Sequence, residues 1–110
     1  MPKFALFFTL TGETIANAME RPSDRRSAVS QAAEAAGGRL ESYYWMHGHH
    51  DGFVVLDLPD SAAASAVSLV VGSTGAFQHL ETHELFEAEQ INPILAKAKE
   101  LRSAYRPPGA

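Results

Sequence analysis

The stretch that decides the fold runs from Glu41 to Val55 and reads ESYYWMHGHHDGFVV. Tyr43, Tyr44 and Trp45 lead into Met46; His47, His49 and His50 crowd around Gly48; Asp51-Gly52 then opens a second apolar run. Aromatic and β-branched runs bounded by glycine and aspartate read as strands, and two of them separated by a short connection pair as an antiparallel hairpin. Arg39 to His47 is therefore expected to form one strand and Gly52 to Leu58 the next.

Working outward, residues 3–10 place Phe4, Leu6, Phe8 and Leu10 on one side of a strand. TGETIANAME reads as a short helical segment. After Arg21-Pro22, Ser23 or Asp24 can cap a helix whose Val29, Ala32, Ala33 and Ala36 form one buried stripe, and Gly37-Gly38 ends it. Beyond the hairpin, Pro59-Asp60-Ser61 stops the third strand and caps an alanine-rich helix over 62–71, with Gly72 and Gly75 framing the turn out of it. AFQHLETHELF is the fourth strand. Asn92-Pro93 then supplies an N-cap and a first-turn proline for a last helix with Ile94, Ala98, Leu101 and Tyr105 on one face. The order β-α-β-β-α-β plus a C-terminal helix predicts an α+β ferredoxin-like sandwich, with both helices on one face of an antiparallel sheet. The expected organisation is one domain over residues 1–105 and a disordered tail over 106–110.

Composition agrees with that plan and narrows the partners. The chain has 110 residues, 45% hydrophobic and 20% charged, which suits one globular domain. A formal charge of −4 offers no electrostatic reason for nucleic acid or an anionic membrane as partner. Without cysteine there is no disulfide, thiolate metal site or cysteine nucleophile. The apolar start MPKFALFFTL alternates as a strand does and is soon followed by Glu13, so it reads as structure rather than as a leader. The expectation is a cytoplasmic protein.

Helices can cover only one face of such a sheet. Strict alternation assigns Leu40, Ser42, Tyr44 and Met46 to the helix side. It leaves Phe7, Glu41, Tyr43, Trp45, His47 and Phe53 on the other, joined by His79, Glu81 and His83 if Leu80 points into the core. An aromatic patch of that size is rare on a monomer. A second copy packed face to face would cover it, so a homodimer or higher oligomer is expected, with a partly polar interior.

The segments MPKFALFF, RPSDRRSAV, AAGGRLESYYW, GHHDGFVVLDLPD and GSTGAFQHLETHELF together make the chain resemble the GYD-domain proteins, over nearly its whole length up to about residue 88. The resemblance implies a dimeric α+β barrel. In the motif that names the family, Gly48 and Asp51 stand in place while His50 occupies the tyrosine position, so no role of a tyrosine hydroxyl carries over. Related barrels include monooxygenases, isomerases, cyclases and assembly proteins, and fold selects no activity among them.

Three constellations carry possible chemistry. In HGHHD the expected reading is a polar hairpin tip in which Gly48 bends the backbone and Asp51 accepts turn hydrogen bonds, with His50 a hydrogen-bonding turn residue rather than a metal ligand; the rival is metal ligation, for which persistent strand geometry would put His47 and His49 on one face. In HLETH, His79, Glu81 and His83 share a strand face, but His79 and His83 lie about 13 Å apart at strand rise, too far to share one ion. They suit a hydrogen-bonded lining instead. On the Glu41, Tyr43, Trp45 strip, the aromatics would stack on a flat ligand while a carboxylate or histidine moves a proton. The residues expected to do acid–base work are accordingly His50, Glu41 and His79. Those expected to contact a small aromatic or apolar ligand between facing sheets are Phe7, Tyr43, Trp45, Phe53, Glu81 and His83. No metal or cofactor is required by this reading, and whether the protein is an enzyme stays open. Two rivals remain: an assembly protein whose inner face is only an interface, and a histidine-dependent metal-binding protein. The GSTG loop reads as a helix-ending turn, and Arg25-Arg26 as a solvated helix face.

Overall fold

The paired aromatic and β-branched runs form the expected strands. The computed structural model describes all residues, Met1–Ala110. The strands are β1 (Lys3–Leu10), β2 (Arg39–Trp45), β3 (Gly52–Asp57) and β4 (Phe77–Leu85), in the order β2-β3-β1-β4 with every neighbouring pair antiparallel. Helices α1 (Gly12–Glu20) and α2 (Arg25–Ala35) connect β1 to β2, α3 (Ser61–Gly72) connects β3 to β4, and α4 (Ala88–Leu101) follows the sheet. This is the ferredoxin-like topology with two helices rather than one in the first connection and a further helix after the sheet.

Side-chain oxygens cap the three connecting helices. Thr11 accepts from the Thr14 amide at 3.1 Å, Asp24 from Ser27 at 3.1 Å and Asp60 from Ala63 at 2.9 Å. Of the two candidate caps at 23–24, Asp24 is the one used. The core lies between the sheet and α2 and α3: Phe4, Leu6, Phe8, Val54, Leu56 and Leu58 meet Ala33, Ala64 and Val67. Burying each large apolar side chain there contributes about 1.5–3 kcal/mol. The even positions of β1 and β3 therefore face the helices, as alternation predicts.

Two boundaries differ from expectation. β2 ends at Trp45 rather than His47, because the Met46 amide turns to the Asp51 carbonyl (2.8 Å) and Gly48 takes φ +130°. That backbone conformation is open to glycine and strained for other residues. The last helix begins at Ala88, not at Asn92-Pro93. Ala88, Glu89 and Gln90 are good helix formers, and the Gln90 side chain accepts from the Glu87 amide at 2.6 Å. Pro93 thus sits inside α4, where it has no N–H to give to the preceding turn.

Asp57 is the one buried charged residue. Lys3 reaches it at 2.8 Å and Arg39 at 2.9 Å, while Lys3 also meets Glu41 at 3.0 Å. From Thr82 to Ala110 every residue is exposed, α4 included. No helix is long and apolar enough to cross a membrane.

Candidate functional site

A bulge in β2 decides where the aromatic side chains go. Leu40 pairs with Leu56, but Ser42 pairs with Val55, which leaves Glu41 as the extra residue. One inserted residue inverts the alternation beyond it. Tyr43 then lies opposite Val54 and Trp45 opposite Gly52 on the helix side, while Tyr44 lies opposite Phe53 on the open side. The expected placement of Tyr43 and Trp45 on the open face is thereby reversed. Their rings pack edge-on around Phe8, with centroids 6.0 Å and 5.4 Å away, and Phe77 completes the group at 6.0 Å.

Above this aromatic floor the helices present mostly small side chains. Ala18, Ala28 and Ala32 cannot fill the space that Phe8, Tyr43 and Trp45 leave, and a mostly apolar cavity of about 930 Å³ results. Val67, Val70 and Val71 of α3 form its far wall, and Arg21, Arg25 and Arg26 stand at its α1–α2 side. Burial pushes the Tyr43 hydroxyl above its ordinary pKa, opposed by the charge of the Arg25 guanidinium. Arg25 thus does more than solvate a helix face.

The open face carries the titratable cluster. There β1 and β4 pair so that Thr9 opposes His79, Phe7 opposes Glu81 and Ala5 opposes His83. Glu81 occupies the centre. His79 Nε2 meets one carboxylate oxygen at 3.0 Å and His83 Nε2 meets the other at 3.3 Å. One carboxylate with two oxygens spans the two histidines that are too far apart to meet each other. Their hydrogen bonds, that of His79 first, hold the Glu81 carboxyl below the usual carboxylate range.

His50 joins this cluster from the hairpin. The bend at Gly48 breaks strand geometry, so the pairing of His47 with His49 expected from alternation gives way to His49 beside His50, with ring centroids 4.7 Å apart. His50 Nδ1 lies 3.2 Å from Thr9 Oγ1, and its Nε2 lies 3.6 Å from Glu81. Its side chain is only 11% exposed. Phe7 lies beneath, 5.4 Å from the His50 ring, 5.3 Å from Phe53 and 5.7 Å from His83.

Asp51 holds the hairpin in this position. Its carboxylate accepts from the Leu10 amide at 2.7 Å, and its own amide donates to the Phe8 carbonyl at 2.8 Å. The expected turn acceptor is thus a bond from the hairpin to the end of β1. Sequence reasoning had no signal for that partner, or for Thr9 orienting His50.

The structure therefore separates residues expected together. His50, His79, Glu81 and His83 converge over Phe7 and Phe53, whereas Tyr43 and Trp45 lie through the sheet. Glu41 is removed from both groups. It pairs with Lys3 at 3.0 Å, six residues or about 20 Å along β1 from Thr9, so it cannot share a centre with His50 and His79.

The fold and these two faces define a small α+β protein of ferredoxin-like topology, with an apolar cavity under its helices and a histidine–carboxylate cluster on its uncovered face. A family model, that of the GYD domain, matches residues 4–95, and the chain belongs to the GYD domain family. No curated protein matches it.

Proposed function

We propose that this GYD-domain protein is a homo-oligomer that binds a small aromatic or apolar molecule, and that the molecule occupies the helix-side cavity rather than the space between facing sheets. The cavity carries the proposal. At about 930 Å³ it lies within the ~300–1,000 Å³ of small-molecule sites, and its lining of Phe8, Tyr43, Trp45 and Phe77 is aromatic, as suits a planar ligand. The arginines at its α1–α2 side favour a ligand with an anionic end. Because the titratable cluster lies on the opposite face, binding is the reading favoured for this cavity, without acid–base chemistry in it.

Trp45 is the only tryptophan, so its fluorescence reports this site alone. Titration with planar aromatic carboxylates is expected to quench it saturably. Filling the cavity by Ala32→Leu should weaken the apparent affinity by about tenfold or more, equivalent to about 1.4 kcal/mol. Quenching that never saturates, or that Ala32→Leu leaves unchanged in a folded variant, would remove the cavity from consideration.

Two uncovered apolar surfaces support the oligomer. Phe7, Tyr44 and Phe53 lie together on the open face. Ile91, Ile94, Leu95 and Leu101 are exposed on α4, a 14-residue helix of a length that is marginal in water without packing. Sedimentation at micromolar concentration should report a dimer or a multiple of it; a single monomeric species would refute assembly while leaving the cavity proposal standing.

A further inference from the structure

In the cluster on the open face, a histidine and a carboxylate stand close without a hydrogen bond between them. His50 Nε2 and the nearer Glu81 oxygen are 3.6 Å apart, long for a hydrogen bond between such groups. Two ligands of one tetrahedral ion with bonds of about 2.0–2.2 Å stand about 3.4 Å apart. His49 joins them: one ring nitrogen of each histidine and one Glu81 carboxylate oxygen all lie within 4.8 Å of one another. From this we propose that His49, His50 and Glu81 bind a divalent transition-metal ion of the zinc class.

The surroundings suit that assignment. His50 is set for it because its other ring nitrogen lies 3.2 Å from Thr9 Oγ1. With Nδ1–H donating to that hydroxyl, Nε2 carries the free lone pair and faces Glu81, the second-shell arrangement that fixes the tautomer of a metal-bound histidine. Glu81 is braced likewise: His79 donates to one oxygen and His83 to the other, and a carboxylate with about four lone-pair sites retains acceptors for an ion. Phe7 and Phe53 form an apolar floor, which lowers the competition from water. Two imidazoles and one carboxylate favour zinc, copper or iron over magnesium, which prefers oxygen ligands. Three protein ligands leave a fourth position for water or a ligand.

This site is separate from the helix-side cavity, so either can fail without the other. The His50 and His49 contributions also explain chemically why the hairpin tip holds histidines where a polar turn would accept any small polar residue.

The test uses the full chain, purified without a histidine tag, stripped with chelator and titrated calorimetrically with zinc chloride. One ion per chain is expected, with a Kd at or below about 1 µM. Glu81→Gln and His50→Ala should each weaken binding by about 100-fold or more, and His79→Ala, which only braces the carboxylate, by about tenfold. His49→Ala is the variant least able to disturb folding, since His49 is exposed, and it too should weaken binding. His47→Ala, an exposed residue outside the cluster, should leave binding unchanged. The assignment is overturned if zinc shows no saturable binding, if His47→Ala matches His49→Ala, or if magnesium binds as tightly as zinc.

Discussion

Replacing Asp57 by alanine is expected to destabilise the fold by about 2–3 kcal/mol, read as a lowered midpoint of urea unfolding. Removing one partner from a fully buried ion pair costs about 3–5 kcal/mol, because the other charge is stranded. Here the stranding is incomplete. Arg39 has a side chain 68% exposed and can turn to water, and Lys3 keeps Glu41 at 3.0 Å. The loss therefore falls below the buried-pair range yet stays large, since Asp57 itself is 4% exposed and joins the ends of three strands through Lys3 and Arg39. The effect also has a pH signature. The hydrogen bond from Lys3, reinforced by the charges of Lys3 and Arg39, holds the Asp57 carboxyl below its ordinary value. A depressed folded-state pKa means the stabilisation is fully present above the ordinary carboxylate pKa of about 3.9 and is lost as pH falls through the folded value. Wild type and Asp57→Ala should differ most at neutral pH and converge as pH falls below the ordinary carboxylate value. A difference that stayed constant over that range would show that packing, not charge, carries the effect.

Phe8→Ala is expected to cost more, about 3–5 kcal/mol, the range for removing a buried aromatic side chain. Phe8 is 6% exposed and is the ring against which Tyr43, Trp45 and Phe77 all pack. Its neighbour across β3 is Gly52, where a Cβ would stand 2.6 Å from the Phe8 ring and 2.5 Å from the Tyr44 carbonyl oxygen. The backbone at Gly52 thus lies directly against the ring, so Phe8→Ala removes contacts that no side chain at position 52 replaces. Phe8→Leu should recover more than half of it. Thermal or urea unfolding checks the stability. The same variant enlarges the proposed ligand cavity, so a bulkier aromatic probe should quench Trp45 in Phe8→Leu more strongly than in wild type. Unfolding midpoints for Phe8→Ala within experimental error of wild type would show that the aromatic group does not form.

Much of the fold was legible because it is written in local chemistry. Alternation on β1 and β3 places Phe4, Leu6, Phe8, Val54 and Leu56 correctly without knowledge of any partner, and caps such as Asp24 and Asp60 act within one helical turn. The topology follows from the order of those elements and the short hairpin connection. The last helix was misplaced because Asn92-Pro93 is a good local start signal, while Ala88, Glu89 and Gln90 carry a weaker preference that a capping bond completes.

What the chain alone determined is this sandwich and the face on which His79, Glu81 and His83 stand, since period-two alternation and helical stripes are properties of neighbouring residues. The contents of each face along β2 were decided only in three dimensions. Tyr43, Tyr44 and Trp45 make either register look equally aromatic, so nothing local distinguishes a regular strand from one with Glu41 bulged; pairing with Val55 and Val54 settles it. The histidine cluster is non-local in the same way. His50 and Glu81 are 31 positions apart, and they meet because Asp51 ties the hairpin to Leu10 while β1 pairs with β4. Local periodicity sets which way a side chain points within its own strand, but only the register between strands sets which side chains meet.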